Sequence, residues 1–258
     1  MPHSELFELS LLGGSVERRY RRLRPDAALP WGTLDTSAYD RATVEAAQQT
    51  WTLASFQEQH SAAACAETLR ALIAARAPLD LVAMASSFVL DEILHVELCA
   101  RVAMELGGAA PLWFDPHALA HRGGYDRSSL LEAAELVVRN YCVEESFSAP
   151  MLRGAWRSAE VPLIRDLLGR LAKDESAHAR FGWIFLDWAA DRLTDDDRRE
   201  LAAAARDTID RLRASWPAPC AEKNPLTGLD ASSYLKLARR TIDDKIIAPL
   251  RQRGMDPT

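Results

Sequence analysis

Two short phrases in this sequence pair a carboxylate with an imidazole at the same spacing: Asp91-Glu92-Ile93-Leu94-His95 and Asp174-Glu175-Ser176-Ala177-His178. Both read Asp-Glu-x-x-His. Residues three apart on a helix occupy neighbouring positions of one face, so each Glu and His can grip one ion, and a carboxylate with two oxygens can reach between two ions. A single Glu-x-x-His is a weak sign, because Glu-rich helices produce it by chance. The second copy changes its weight. Each lies on an otherwise apolar stripe, with Phe88 and Cys99 flanking the first and Leu171, Gly182 and Phe185 the second. A carboxylate left alone on such a stripe is costly, and a cation is the natural partner.

A pair of ions held between four helices also draws one Glu from each of the other two. Glu58 meets that need on the first helix, sharing its face with Trp51, Ser55, Ala62 and Cys65. On the third helix Glu144 and Glu145 compete, and adjacent residues of a regular helix point about 100° apart, so only one faces the axis. Glu145 lines up with Val138, Tyr141, Cys142, Ala149 and Leu152, whereas Glu144 shares its stripe with Asn140, which favours Glu145. The candidate ligands, which are also the candidate catalytic residues, are therefore Glu58, Glu92, His95, Glu145, Glu175 and His178. Four carboxylates and two neutral imidazoles balance two divalent cations. Mixed oxygen and nitrogen donors suit iron or manganese, singly or as a mixed pair, and the sequence does not select between them.

These residues need four helices to position them. Helical periodicity runs from about Asp40 to Arg76, from Pro78 to a stop at Gly107-Gly108, from about Ser129 to Ser158, and from Pro162 to about Arg192. Ser129 with Glu132 reads as a capping box, and Pro150 predicts a kink in the third helix by freeing a carbonyl one turn earlier. Ala109 to Arg127, with Pro111, Pro116 and Gly123-Gly124, reads as a long crossover loop. At about 1.5 Å per residue, Glu145 and Glu175 both lie roughly 20 Å from the turn near residue 160, while Glu58 and Glu92 lie roughly 30 and 20 Å from the turn near Pro78. The second pair is mismatched in depth.

The expected fold is all-α: an irregular N-terminal arm over residues 1–36, a four-helix bundle over 37–192 with one long crossover, and two accessory C-terminal helices over 193–258 packed on it. No β-hairpin signal stands out. At 258 residues the chain can bury a substantial core without disulfides, and its four cysteines form no Cys-x-x-Cys pair, so a zinc ribbon, a rubredoxin-type iron site and a thioredoxin-type motif are unsupported. Nothing approaches the run of about 18 apolar residues that a membrane span requires, and no signal segment opens the chain, so a cytoplasmic location is expected. A net charge of −6 argues against a nucleic-acid footprint, and the basic cluster Arg18, Arg19, Arg21, Arg22 and Arg24 reads as a solvated run.

The order Glu58, Glu92 with His95, Glu145, Glu175 with His178 resembles the ferritin-like di-iron carboxylate superfamily, which includes ferritins, rubrerythrins, ribonucleotide reductase small subunits and soluble di-iron oxygenases. The resemblance covers roughly residues 40 to 192. It implies a ferritin-like bundle with two iron ions and an oxidase or oxygenase acting with dioxygen on a small organic or acyl-type substrate; the alternative is a ferroxidase or iron-binding protein without organic substrate. An electron-donor protein and a second copy of the chain are further candidate partners; nucleic acid and membrane are not. It also implies that Asp91 and Asp174 accept hydrogen bonds from ligand imidazoles, and Cys142-Val143-Glu144-Glu145-Ser146-Phe147-Ser148 resembles ferritin-like segments with the ligand at position 145. The chain lacks a rubredoxin-like cysteine module and is longer than a typical ferritin. A third class is a structural bundle whose inward carboxylates pair with arginines such as Arg101 or Arg180.

Other residues have plainer readings. His60, two positions from Glu58, points away from it, and His3, His117 and His121 fall in loops. Tyr141 reads as a core tyrosine ahead of a redox-active one, and Trp51, Trp183 and Trp188 as packing ahead of electron relay. Cys99 and Cys142 read as small buried hydrophobes. Ser55, Ala62, Ser148, Ala149 and Gly182 either leave a cavity beside the ligands or allow close helix packing.

Overall fold

A computed structural model of the chain describes residues 4–23, 29–116, 128–217 and 223–258. Among them the regular structure is helical apart from a two-residue ladder, in which β1 (Glu5–Leu6) pairs antiparallel with β2 (Trp113–Phe114). Helix α1 (Gly14–Leu23) stands inside the segment expected to be irregular, so that expectation is corrected. Arg21 of α1 pairs with Glu17 and with Glu97, so the basic run is not solvated throughout. His3, Arg24, His117, His121 and Gly123-Gly124 lie outside the described residues, as does the 117–127 part of the expected crossover.

The long helices begin and end where their sequence chemistry directs. Asp40 caps α2 (Arg41–Ala74) by accepting from the Thr43 backbone N–H at 2.7 Å, satisfying one of the orphan donors of a helix start. Pro78, which has no N–H to leave orphaned, precedes α3 (Leu79–Glu105), and Gly107 and Gly108 take the positive φ values that end it. The cap of α4 (Ser129–Val137) is Ser128, whose hydroxyl accepts from the Leu131 N–H, one residue before the expected Ser129; Glu132 pairs instead with Arg70. Helix α6 (Pro162–Ala189) opens on its proline. In α7 (Asp195–Ala214) Thr194 and Asp197 cap each other reciprocally.

The third long helix is where the structure departs from regularity. Between α4 and α5 (Ser146–Ser158) the segment Val138–Glu145 is π-helical, so the irregularity precedes Pro150 and no break falls at the proline itself. A π-turn inserts one residue and rotates everything beyond it relative to an α-helix. Helix α8 (Ala231–Thr241) likewise runs through a π-helical stretch, Ile242–Ile247, into α9 (Ala248–Gln252).

Helix α2 packs along α3, and α5 along α6, while α2 meets α4 and α3 meets α6. The apolar interior falls into two clusters. One joins Cys65, Leu72, Leu81 and Phe88 to Tyr141, Phe181 and Phe185 and continues into α7 and α8 through Leu201 and Ala238. The other joins Trp51, Leu94, Leu98 and Val102 to Ile164, Leu167 and Leu171. Each of α2, α3 and α6 contributes to both, and the candidate ligands lie between. No helix among the described residues is long and apolar enough to cross a membrane.

Candidate metal centre

The two Asp-Glu-x-x-His phrases face one another from α3 and α6. Glu92, His95 and His178 are fully buried, and Glu175 and Glu145 nearly so. They form two overlapping groups, Glu58 with Glu92, His95 and Glu175, and Glu92 with Glu145, Glu175 and His178, each offering one ligand atom per residue within 4.8 Å of the others. Glu92 and Glu175 belong to both. A two-oxygen side chain shared by two groups is what bridging carboxylates require.

The depth mismatch in the α2–α3 hairpin has a simple resolution. Counted from the helix ends, Glu58 lies about 24 Å from the turn, and so does His95, one turn beyond Glu92. Glu58 is level with His95, whose Nδ1 is 3.6 Å from Glu58 Oε2. On the other side, His178 Nδ1 lies 4.0 Å from Glu145 Oε2.

The adjacent acids separate cleanly. Glu145 has 9 % of its side chain exposed and points inward, whereas Glu144 is 36 % exposed and pairs outward with Arg211 of α7 at 3.7 Å. The π-turn widens the buried face: Tyr141, Cys142, Val143, Glu145, Ser146 and Phe147 are all buried. Outside it, Arg139 donates to the Ala204 carbonyl and to Thr208 of α7, and Asn140 donates to Thr68 of α2. These tethers were not read from the sequence, because their partners are more than sixty residues away.

Both imidazoles turn Nδ1 inward. Their Nε2 atoms lie against aspartates of the opposite helix, His95 3.5 Å from Asp174 and His178 3.4 Å from Asp91. The two Asp-Glu-x-x-His phrases thus cross over, each aspartate orienting the other phrase's histidine. Arg170 donates to Asp174 at 2.6 Å, an i,i+4 pair that the spacing alone suggests.

The inward atoms approach without satisfying one another. His178 Nδ1 is 2.9 Å from Glu92 Oε1 and from Glu175 Oε2, and His95 Nδ1 is 3.2 Å from Glu175 Oε1. Yet Glu92 Oε1 and Oε2, Glu175 Oε2 and both Nδ1 atoms make no aligned hydrogen bond among the described residues. Atoms that converge on common points rather than on each other fit cations placed at those points.

Protonation of the metal-free cluster carries the same mark of crowding. Burial lifts Glu58 to about 8, against the lowering pull of His95. Burial, followed by the negative charge of Glu175, raises Glu145 well above the usual carboxylate range. Glu175 is driven well below it: burial opposes this, but the polar groups of Glu145, His178 and His95 crowded around it outweigh burial. His178 rises to about 10 although burial opposes, because the carboxylates of Glu175 and Glu92 stand beside it and favour its charged form. Cations held between these groups would displace those protons.

The small residues beside the ligands pack closely. A Cβ on Gly182 would stand 2.6 Å from Cys142 Sγ and 2.9 Å from its backbone nitrogen, so this glycine lets α6 approach the π-helical segment. Ser55 donates to the Val96 carbonyl. Trp51 donates to Leu226, Trp183 lies under Arg253 and Trp188 under Arg192. Of the arginines considered as counter-ions, Arg101 stacks on Trp31, and Arg180 is exposed and donates to the Ser176 carbonyl. Comparison of the chain with protein-family models, with curated proteins and with solved structures found no match.

Proposed function

We propose that this chain is an oxygen-dependent di-iron oxidoreductase of the ferritin-like kind, acting on a small organic or acyl-type substrate. The observation that carries the reading is the overlap of two four-residue ligand groups on Glu92 and Glu175. Glu58 and His95 would hold one ion, Glu145 and His178 the other, with Glu92 and Glu175 shared. Bound there, a pair of ferrous ions supplies the electrons that dioxygen reduction requires.

The chain's own residues perform the rest. Four carboxylates neutralise two divalent cations, so a site that is costly when empty of charge becomes balanced when filled. Asp91 and Asp174 fix the ring orientation that turns each Nδ1 inward. The two apolar clusters above and below exclude water and strengthen the electrostatics between them. Glu58 is the most exposed of the six, with 17 % of its side chain open, so solvent and small molecules approach most directly from its side. Its proton, held to about 8 in the metal-free state, is the one a cation must displace there.

Metal analysis of protein purified under iron supplementation, followed by oxygen exposure of the ferrous form, tests this. Two irons per chain and oxygen uptake coupled to oxidation of an added organic substrate are expected. Less than one equivalent of bound metal removes the reading. Mineral growth far beyond two irons assigns the site to iron oxidation and storage instead.

A further inference from the structure

Tyr141 and Cys65 meet at the edge of the metal centre in a way that packing alone does not explain. Both are buried, at 0 % and 2 % exposure, and the Tyr141 hydroxyl donates to Cys65 Sγ at 3.2 Å. A buried phenol ordinarily finds an oxygen or nitrogen acceptor, and a thiol sulfur is a weak substitute. The pair is also close to the ligands. Cys65 lies two turns after Glu58 on α2, and Tyr141 lies one turn before Glu145 in the π-helical segment. Phe88 packs on Tyr141 at 5.7 Å between ring centres and on His178 at 4.2 Å, and Phe181 closes the other side of the phenol at 4.9 Å. The ring is therefore caged, with its hydroxyl edge held toward the sulfur.

We propose that Cys65 and Tyr141 form a modification site, in which a thioether bond joins Cys65 Sγ to the ring carbon beside the Tyr141 hydroxyl. The step rests on the oxygen-dependent reading of the neighbouring centre. The S–H bond of Cys65 and one ring C–H bond of Tyr141 break, and the S–C bond forms. The two electrons and two protons released pass to one dioxygen, which leaves as hydrogen peroxide, so atoms and electrons balance. The phenol is the activated partner because its hydroxyl directs bond formation to the adjacent carbon, and the caged geometry presents that edge to the sulfur. The product staples α2 to the π-helical segment, tying the element that carries Glu58 to the one that carries Glu145.

The full-length protein, reconstituted with ferrous iron without oxygen and then exposed to air, tests this by intact mass and by peptide mapping after complete reduction. The expected product is lighter by two hydrogen atoms, keeps that deficit after reduction, and yields a linked peptide containing Cys65 and Tyr141. Alkylation of the denatured chain then counts three thiols instead of the four in the sequence. Tyr141→Phe and Cys65→Ser should each abolish the deficit while still binding iron. A deficit that reduction reverses is a disulfide and overturns the proposal, as does a deficit that survives in either variant. Two bound irons and oxygen uptake with no linked peptide overturn the crosslink and leave the di-iron reading standing. Absence of iron binding or oxygen uptake overturns both.

Discussion

The two halves of the candidate centre deliver equivalent residues by different means. On one side, Glu58 and His95 come from two regular helices, α2 and α3, joined by a short turn, and the carboxylate remains partly open to solvent. On the other, Glu145 comes from a π-helical stretch that is tethered from outside by α7 and approached closely by α6 at Gly182. A regular hairpin fixes its ligands through length and register alone. An irregular segment needs neighbours to hold it, so the Glu145 half depends on chain more than sixty residues away. Helix α7, which follows the ligand-bearing helices in the chain, is in this sense part of what builds the site.

Substitution of the shared residues should erase the distinction between the halves. Glu92→Ala and Glu175→Ala are each expected to abolish stoichiometric two-metal binding, as read by metal analysis after gel filtration. Full occupancy in either variant would remove that residue from the site.

The next largest effect separates the halves. Glu145→Gln is expected to lower metal occupancy and oxygen reactivity strongly, while Glu144→Gln, which alters only the exposed pair with Arg211, should leave both close to the unmodified protein. If the Glu144 variant proves the damaging one, the inward register of the π-helical segment is wrong.

The crossed aspartates sharpen the comparison. Asp174→Asn should weaken the ion nearest His95, and Asp91→Asn the ion nearest His178, each by about 10- to 100-fold in affinity, the usual cost of losing a residue that orients a metal ligand. Stepwise titration with a spectroscopically active divalent ion would resolve which step is affected. An effect on the same-phrase histidine instead would break the crossover.

The smallest effect concerns protons. In the metal-free protein Glu58 keeps its proton below about 8 and His178 keeps its own to about 10, so binding below pH 8 must displace both. Lowering pH therefore weakens metal binding. Raising pH through 8 should reduce the protons released per filled site by about one, because Glu58 has already ionised. Calorimetry in buffers of different ionisation enthalpy counts them, and a count unchanged between pH 7 and 9 would show that Glu58 is not a group that ionises in that range.

Much of this architecture is written locally. The duplicated Asp-Glu-x-x-His spacing marks α3 and α6 as the ligand-bearing helices, because the i,i+3 relation is a property of any helix. Asp40, Pro78, Gly107-Gly108 and Pro162 mark the helix limits, because capping and proline chemistry act within a turn. The apolar stripe that favours Glu145 over Glu144 is also local, and the structure turns Glu145 inward.

What the tertiary structure alone decided is everything that depends on how helices sit against one another. The level of Glu58 with His95, the crossing of each aspartate to the other phrase's histidine, and the packing role of Gly182 all join residues distant in sequence. The π-turn has no local signature either. It inserts a single residue in a segment packed against α2, α6 and α7, so Pro150 points to the right helix and to the wrong turn. Helix α1 has an apolar stripe of its own, Val16, Tyr20 and Leu23 at helical spacing, but no residue in it is buried and its anchor, Glu97, lies on α3, so its place is a tertiary matter.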